Sequence, residues 1–127
     1  MLTIKGKSLK IPIIQGGMGI GVSLGNLAGH VMKEGGMGVI SAAQPGYREP
    51  DFFSNTFQAN LRALKAEIAK ARAIAQGNGL LGVNLMVAGE RYDEYATAIA
   101  EMDVDVIISE RDYLWSCRNS PKGNPLR

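Results

Sequence analysis

The sequence is poor in the residues that most often announce a site. It has one cysteine, Cys117, and one histidine, His30. A lone cysteine excludes an internal disulfide and supplies no spacing for a thiolate metal centre. With a single histidine no histidine metal cluster can be drawn, and no Ser–His–Asp arrangement stands out in the sequence. His30 lies inside a helical pattern, which favours a structural or solvent-facing role over an acid–base one. Long apolar runs are also missing: none approaches the roughly 18–20 residues that span a bilayer. No apolar signal core follows Lys5 and Lys7, so the expectation is a cytoplasmic chain with no membrane partner. An excess of one charge is absent from most of the chain. Residues 1–109 carry ten basic and ten acidic side chains, which leaves no electrostatic footprint for nucleic acid. The net charge of +2 comes from residues 110–127, where Arg111, Arg118, Lys122 and Arg127 outnumber Glu110 and Asp112. If the chain is part of an enzyme, an organic cofactor has to bring the hard chemistry.

What is present describes an ordinary globular domain, with 46% hydrophobic and 20% charged residues. Its most informative stretch is residues 11–21, an apolar run from Ile11 to Ile14 followed by Gly16, Gly17, Gly19 and Gly21. Buried parallel strands read as continuous apolar runs, and glycine after such a strand lets the backbone turn or approach a ligand. Ser23 then stands where it can cap a helix whose apolar positions are Leu24, Leu27, Ala28, Val31 and Met32. The pattern predicts strands at 10–15, 37–42, 80–86 and 104–109, and helices at about 24–34, 57–76 and 92–102. Leu2–Ile4 and Leu9–Lys10 either pair as a small hairpin through Gly6 or fray. The connection 43–55, with Pro45, Gly46 and Pro50, is long for an α/β link and is either a ligand-contacting loop or a surface insertion.

Strands alternating with helices imply an α/β fold with a parallel sheet and right-handed crossovers. A doubly wound sheet and the first half of a (β/α)8 barrel both fit, and both gather ligands at the C-terminal ends of the strands. The string Gly77-Asn78-Gly79-Leu80-Leu81-Gly82 has dinucleotide-fingerprint spacing, but it follows a helix and enters a strand, the reverse of the required context. The turn after residue 15 has the right place and the wrong spacing, which weakens the doubly wound alternative. Asn84, polar within an apolar strand, needs a partner, either a ligand at the barrel mouth or backbone in the core. Gln15 poses the same question.

The run Ile11-Pro12-Ile13-Ile14-Gln15-Gly16-Gly17-Met18 resembles the start of the nitronate monooxygenase (2-nitropropane dioxygenase) family. Asn26-Leu27-Ala28-Gly29, Glu34-Gly35-Gly36-Met37-Gly38-Val39-Ile40, Gly82-Val83-Asn84-Leu85-Met86 and residues 104–109 are similar to its following segments. The FMN-dependent enoyl-acyl-carrier-protein reductases share most of these motifs and remain the alternative, beside a non-catalytic truncated product. The resemblance implies a TIM barrel that binds FMN at its strand ends, here as its first four βα units over residues 1–109. It implies flavin contacts from Gly16, Gly17, Met18 and Asn84, and oxidation of alkyl nitronates with molecular oxygen. The family's catalytic histidine is expected beyond the fourth strand, so no catalytic residue is assigned here, and His30 does not match its position. Such a fragment is expected to be inactive and able to self-associate through exposed strand edges.

After Ser109 the family typically reads Gly-Ala-Gly-x-Pro, whereas this chain reads Glu110-Arg111-Asp112-Tyr113-Leu114-Trp115-Ser116-Cys117. One choice of codons for these residues, read one base out of register, gives Ala-Gly-Leu-Pro-Met-Glu-Leu-Pro. Residues 110–127 are therefore expected to be an out-of-frame tail produced by a one-base deletion, the other reading being a divergent C-terminus. The coding DNA decides between them.

Overall fold

The computed structural model describes residues 2–4, 6–87 and 89–110. The expected tail, apart from Glu110, lies outside the described residues. The elements are β1 (Leu2–Ile4), β2 (Lys7–Leu9), α1 (Gly25–Lys33), β3 (Met37–Ser41), α2 (Thr56–Ala75), β4 (Leu80–Met86), α3 (Tyr92–Ala100) and β5 (Val106–Glu110). Strands β3, β4 and β5 form a parallel sheet in chain order, with Met37 opposite Leu80 and Gly82 opposite Val106. β1 and β2 pair antiparallel as the small hairpin.

The sheet separates two apolar layers, as strand alternation requires. Ile40, Leu81, Val83 and Leu85 face the helices and pack with Ala28 and Met32 of α1, Leu64, Ile68, Ala71 and Ala75 of α2, and Ile99 of α3. Met37, Val39 and Leu80 face the other way and meet Leu9, Leu2 and Ile4 of the hairpin, with Val106 and Ile108 alongside. Helix α1 lies close against α2 because Gly25 and Gly29 present no side chain there. A Cβ on Gly29 would stand 2.8 Å from Ile74 Cβ, and one on Gly25 would collide with the Glu67 carbonyl.

Asp105 fastens the N-terminal end of this sheet. Its side chain is 6% exposed and is paired with Lys7 of the hairpin and Arg72 of α2. Its Oδ2 also accepts the Leu81 N–H at 2.8 Å. Burial favours the neutral acid, but the Leu81 amide, Lys7 and Arg72 together outweigh it and hold the carboxyl below the ordinary aspartate range.

Three sequence expectations need correction. The apolar run 10–15 is not a buried strand. It touches β3 through a single parallel bridge, Ile14 to Met37. Ile11, Ile13 and Ile14 are 37%, 59% and 48% exposed, because the segment lies at the edge with no described neighbour on its outer side. Pro12 offers no N–H, and the Ile13 amide turns back to the Ile11 carbonyl at 2.8 Å, so regular pairing does not start. Ser23 does not cap α1. The N-cap is Leu24, without a side-chain bond. The Gly25 N–H is satisfied instead by Glu67 Oε2 of α2 at 2.7 Å. Finally, β5 begins at Val106 and runs through Glu110, two residues later than expected at its start and one later at its end.

Candidate functional site

The turn at residues 16–18 is held by two side chains rather than by a regular strand. Gln15 donates its backbone N–H to Met37 O at 3.0 Å. Its Oε1 accepts the Val39 N–H at 3.0 Å, so the side-chain amide extends the pairing that the backbone abandons. Its Nε2 donates to Gly16 O at 2.6 Å and to Ser23 Oγ at 2.9 Å. Ser23 is fully buried. Its Oγ accepts the Met18 N–H at 3.0 Å, and its carbonyl accepts the Ser41 N–H at 2.9 Å. The turn is thus stapled to the C-terminal end of β3. Gln15 is engaged with backbone, which answers the question its polarity raised.

Asn84 gives the opposite answer. It lies opposite Ser41 on β4, on the sheet face away from the helices, where alternation with Val83 and Leu85 puts it. Its Oδ1 is buried and has no hydrogen-bond partner among the described residues. A buried acceptor left unmade costs about 1–3 kcal/mol. Gly17 packs directly on this side chain: a Cβ at 17 would lie 2.6 Å from Asn84 Cβ and 3.0 Å from Nδ2. Only glycine lets the turn approach Asn84 so closely. Gly16 has open space where a Cβ would be, and Met18 is 47% exposed. Of the four expected residues, Gly17 and Asn84 are in contact, while Gly16 and Met18 open the same turn to the outside.

The long connection 43–55 folds onto α2. Asn60 Oδ1 accepts the Gly46 N–H at 2.9 Å, and Arg62 bonds Glu49 and Asp51. Those two carboxylates raise the already high pKa of Arg62. The loop borders a cavity of about 710 Å³, with Phe57, Leu85, Met86, Tyr92 and Tyr95 on its walls. This cavity opens on the helix side of the strand ends and includes neither residues 16–18 nor Asn84. This cavity and the Gly17–Asn84 contact are therefore separate features. His30 lies in the last turn of α1, exposed, with Nδ1 2.8 Å from the Asn26 carbonyl oxygen.

The nitronate monooxygenase family model matches residues 2–113. The chain belongs to the nitronate monooxygenase family. Membership places it among flavin-type oxidoreductases, with a small-molecule substrate and oxygen implied by the family. No individual curated protein matches the chain significantly. Among the described residues, no cluster of acidic, histidine or cysteine side chains could hold a metal ion, and no helix is long and apolar enough to cross a membrane.

Sequence reasoning singled out Gly17 and Asn84 but missed Ser23 as the staple of the turn. The available signal was weak, a serine five residues after Met18. Ser41, whose Oγ accepts the Ala43 N–H at 3.2 Å, was also missed, because serine at a strand end carries no motif.

Proposed function

We propose that residues 1–109 form the first four βα units of a (β/α)8 barrel that binds FMN at its strand ends and serves the oxidation of alkyl nitronates by molecular oxygen. The observation that carries this reading is the unpartnered, buried Oδ1 of Asn84 beside Gly17. An acceptor fixed in that place is complementary to a ring N–H, which the isoalloxazine of FMN offers. Gly16, Gly17 and Met18 would hold the flavin from the turn, and Asn84 from β4. When bound, FMN would supply the two-electron redox chemistry that none of these side chains has.

The chain's own residues do three things in this reading. Gln15 and Ser23 fix the turn against β3, so that the glycines meet the ligand without reorganisation. Gly17, packed on the Asn84 side chain, keeps it in place. Asn84 Oδ1 accepts one hydrogen bond and thereby orients the ring. No proton transfer is assigned to His30, which stands on α1 and not at the strand ends.

The exposed edge supports the half-barrel reading. Ile13, Ile14, Met18, Ile20 and Val22 are between 47% and 59% exposed and follow one another along the first segment. Exposed apolar runs of this kind mark a partner surface or an association hazard. The four units by themselves would therefore bind FMN weakly, associate through their edges and turn over little or no nitronate.

The test uses purified residues 1–127. FMN binding is followed by quenching of flavin fluorescence, and oxygen uptake is followed with an alkyl nitronate. Weak FMN binding that Asn84→Ala lowers about tenfold or more, without oxygen uptake above background, is the expected result. FMN binding that is indifferent to Asn84→Ala overturns the site, and nitronate turnover by this chain overturns the half-barrel account of its activity.

A further inference from the structure

The cavity of about 710 Å³ on the helix side of the strand ends has no role in the flavin reading. Its wall carries a hydrogen-bond chain whose direction is fixed. A backbone N–H can only donate, so the Gly46 N–H makes Oδ1 of Asn60 its acceptor, at 2.9 Å. The amide nitrogen of Asn60 therefore points the other way and donates to the Tyr95 hydroxyl oxygen, also at 2.9 Å. Because that oxygen is accepting, the hydroxyl has its own hydrogen left to give. No acceptor for it is present among the described residues. Asn60 and Tyr95 both line the cavity, so the chain ends there on a donor.

The earlier links of this chain serve the fold. Asn60 is 4% exposed within α2, where asparagine is a poor helix former. Its place is explained by the loop it holds. Gly46 lies so close to α2 that a Cβ there would stand 2.6 Å from the Ala59 carbonyl oxygen, and its N–H needs an acceptor. Tyr95 in turn satisfies the buried amide nitrogen, and its ring meets Phe57 edge-on at 4.7 Å between centroids. The last hydrogen of the chain has no such structural use. A hydroxyl that accepts from an amide is polarised into a better donor. Around it, Phe57, Leu85 and Met86 give the cavity apolar walls. Apolar walls with a few placed polar groups are the usual make-up of a small-molecule pocket.

The charges on the wall narrow the ligand further. Arg91 lines the cavity but is already engaged: its Nε and Nη2 donate to Glu94 at 2.8 and 2.6 Å, and its guanidinium lies 3.8 Å from the centroid of the Phe57 ring. Glu90 is a lining residue as well, so the wall has no spare positive charge for an anion. We propose that this cavity binds an uncharged small molecule with an apolar body and one hydrogen-bond acceptor, of the ketone or ester type, whose carbonyl oxygen takes the Tyr95 O–H. The site is independent of the flavin reading, since neither residues 16–18 nor Asn84 line it.

Acetophenone, ethylbenzene and benzoate share one ring and differ in what they present: a neutral acceptor, no acceptor and an anion. Each is titrated into isotope-labelled residues 1–127, and the Gly46 amide and the Asn60 side-chain amide are followed by NMR. Acetophenone should bind saturably and shift both signals. Ethylbenzene should bind about threefold to tenfold more weakly, the range expected for one neutral hydrogen bond, and benzoate should also bind more weakly than acetophenone. Tyr95→Phe should abolish the preference for acetophenone over ethylbenzene, and Asn84→Ala should leave that preference unchanged. The comparison of the three ligands on the parent chain decides the matter even where Tyr95→Phe fails to fold. Absence of saturable binding, or binding without shifts at Gly46 and Asn60, overturns the proposal. So does equal or tighter binding of ethylbenzene or benzoate, a preference retained in folded Tyr95→Phe, or a preference lost in Asn84→Ala.

Discussion

At the N-terminal end of the parallel sheet both oxygens of buried Asp105 have partners, whereas at the C-terminal end the buried Oδ1 of Asn84 has none among the described residues. The contrast extends to the surroundings. Below, the hairpin closes over Met37, Val39 and Leu80, and Leu9 is fully buried. Above, a glycine turn and a row of exposed apolar side chains leave the face open. Parallel α/β architectures place ligands at the C-terminal ends of their strands, and the opposite ends hold the fold together. Here that division is visible in single polar groups: satisfied where stability is needed, unsatisfied where a ligand is expected. Stability and binding should therefore respond to different substitutions.

The largest effect is expected at the closed end. Asp105→Ala removes the acceptor of the Leu81 amide and the partner of two cations, and should cost about 3 kcal/mol in denaturant unfolding. The same carboxyl predicts an acid limb. Its folded pKa lies below the ordinary value, so its stabilisation is fully present above the unfolded pKa of about 3.9 and is lost as pH falls through the folded value. Unfolding followed downward from pH 5 should show this loss in the parent chain and not in Asp105→Ala. An equally steep acid limb in the variant would remove Asp105 as its source.

At the open end, Gly17→Ala should act on binding more than on stability. The added methyl meets Asn84 Cβ and pushes that side chain from its place. FMN affinity should fall about tenfold or more, equivalent to about 1.4 kcal/mol, if Asn84 orients the ring. Asn84→Ala should lower FMN affinity similarly while leaving unfolding nearly unchanged, because it deletes a buried acceptor that has no partner to lose. A large loss of stability in Asn84→Ala would mean that Oδ1 is satisfied within the fold, and the contrast between the two ends would fail.

How far this division was legible in the sequence differs between the two ends. β4 was predicted with its observed bounds, Leu80–Met86, and α2 within a residue or so, because a short apolar run and a long helical stripe are local signals. Asn84 stood out as the polar interruption of that run. The segment 10–15 misled because an apolar run looks the same whether it is buried or left at an edge. Ser23 misled because serine before a helix usually caps it, whereas here its hydroxyl serves Gln15 and Met18, a tertiary arrangement with no local signature. Asp105 was invisible for the same reason. Its partners come from residues 7, 72 and 81, and nothing in the spacing joins them.

Two smaller effects sharpen the comparison. Lys7 also contacts Asp105, but its side chain is 63% exposed, and Arg72 and the Leu81 amide remain when it is removed. Lys7→Ala should cost no more than about 1 kcal/mol, well below Asp105→Ala. Equal costs would show that the pair with Lys7, and not the buried amide bond, carries the anchoring.

The smallest effect is expected at His30, the residue that chemistry alone would most readily suspect. It is exposed in the last turn of α1, and its side-chain hydrogen bond among the described residues runs from Nδ1 to the Asn26 carbonyl, one helical turn back. It belongs to neither end of the comparison: among the described residues its side chain hydrogen-bonds neither Asp105 and its partners nor Gly17 or Asn84. A cation near a helix C-terminus gains a few tenths of a kcal/mol at most on an exposed surface. His30→Ala should therefore shift unfolding by less than about 0.5 kcal/mol, the range of ordinary surface substitutions, and leave FMN affinity unchanged. Parallel titrations of the parent chain and His30→Ala with FMN check this directly. A loss of FMN binding without a loss of stability would place an imidazole at the flavin, and would require α1 to reach the open end of the sheet in a way its packing against Glu67, Ala71 and Ile74 does not allow.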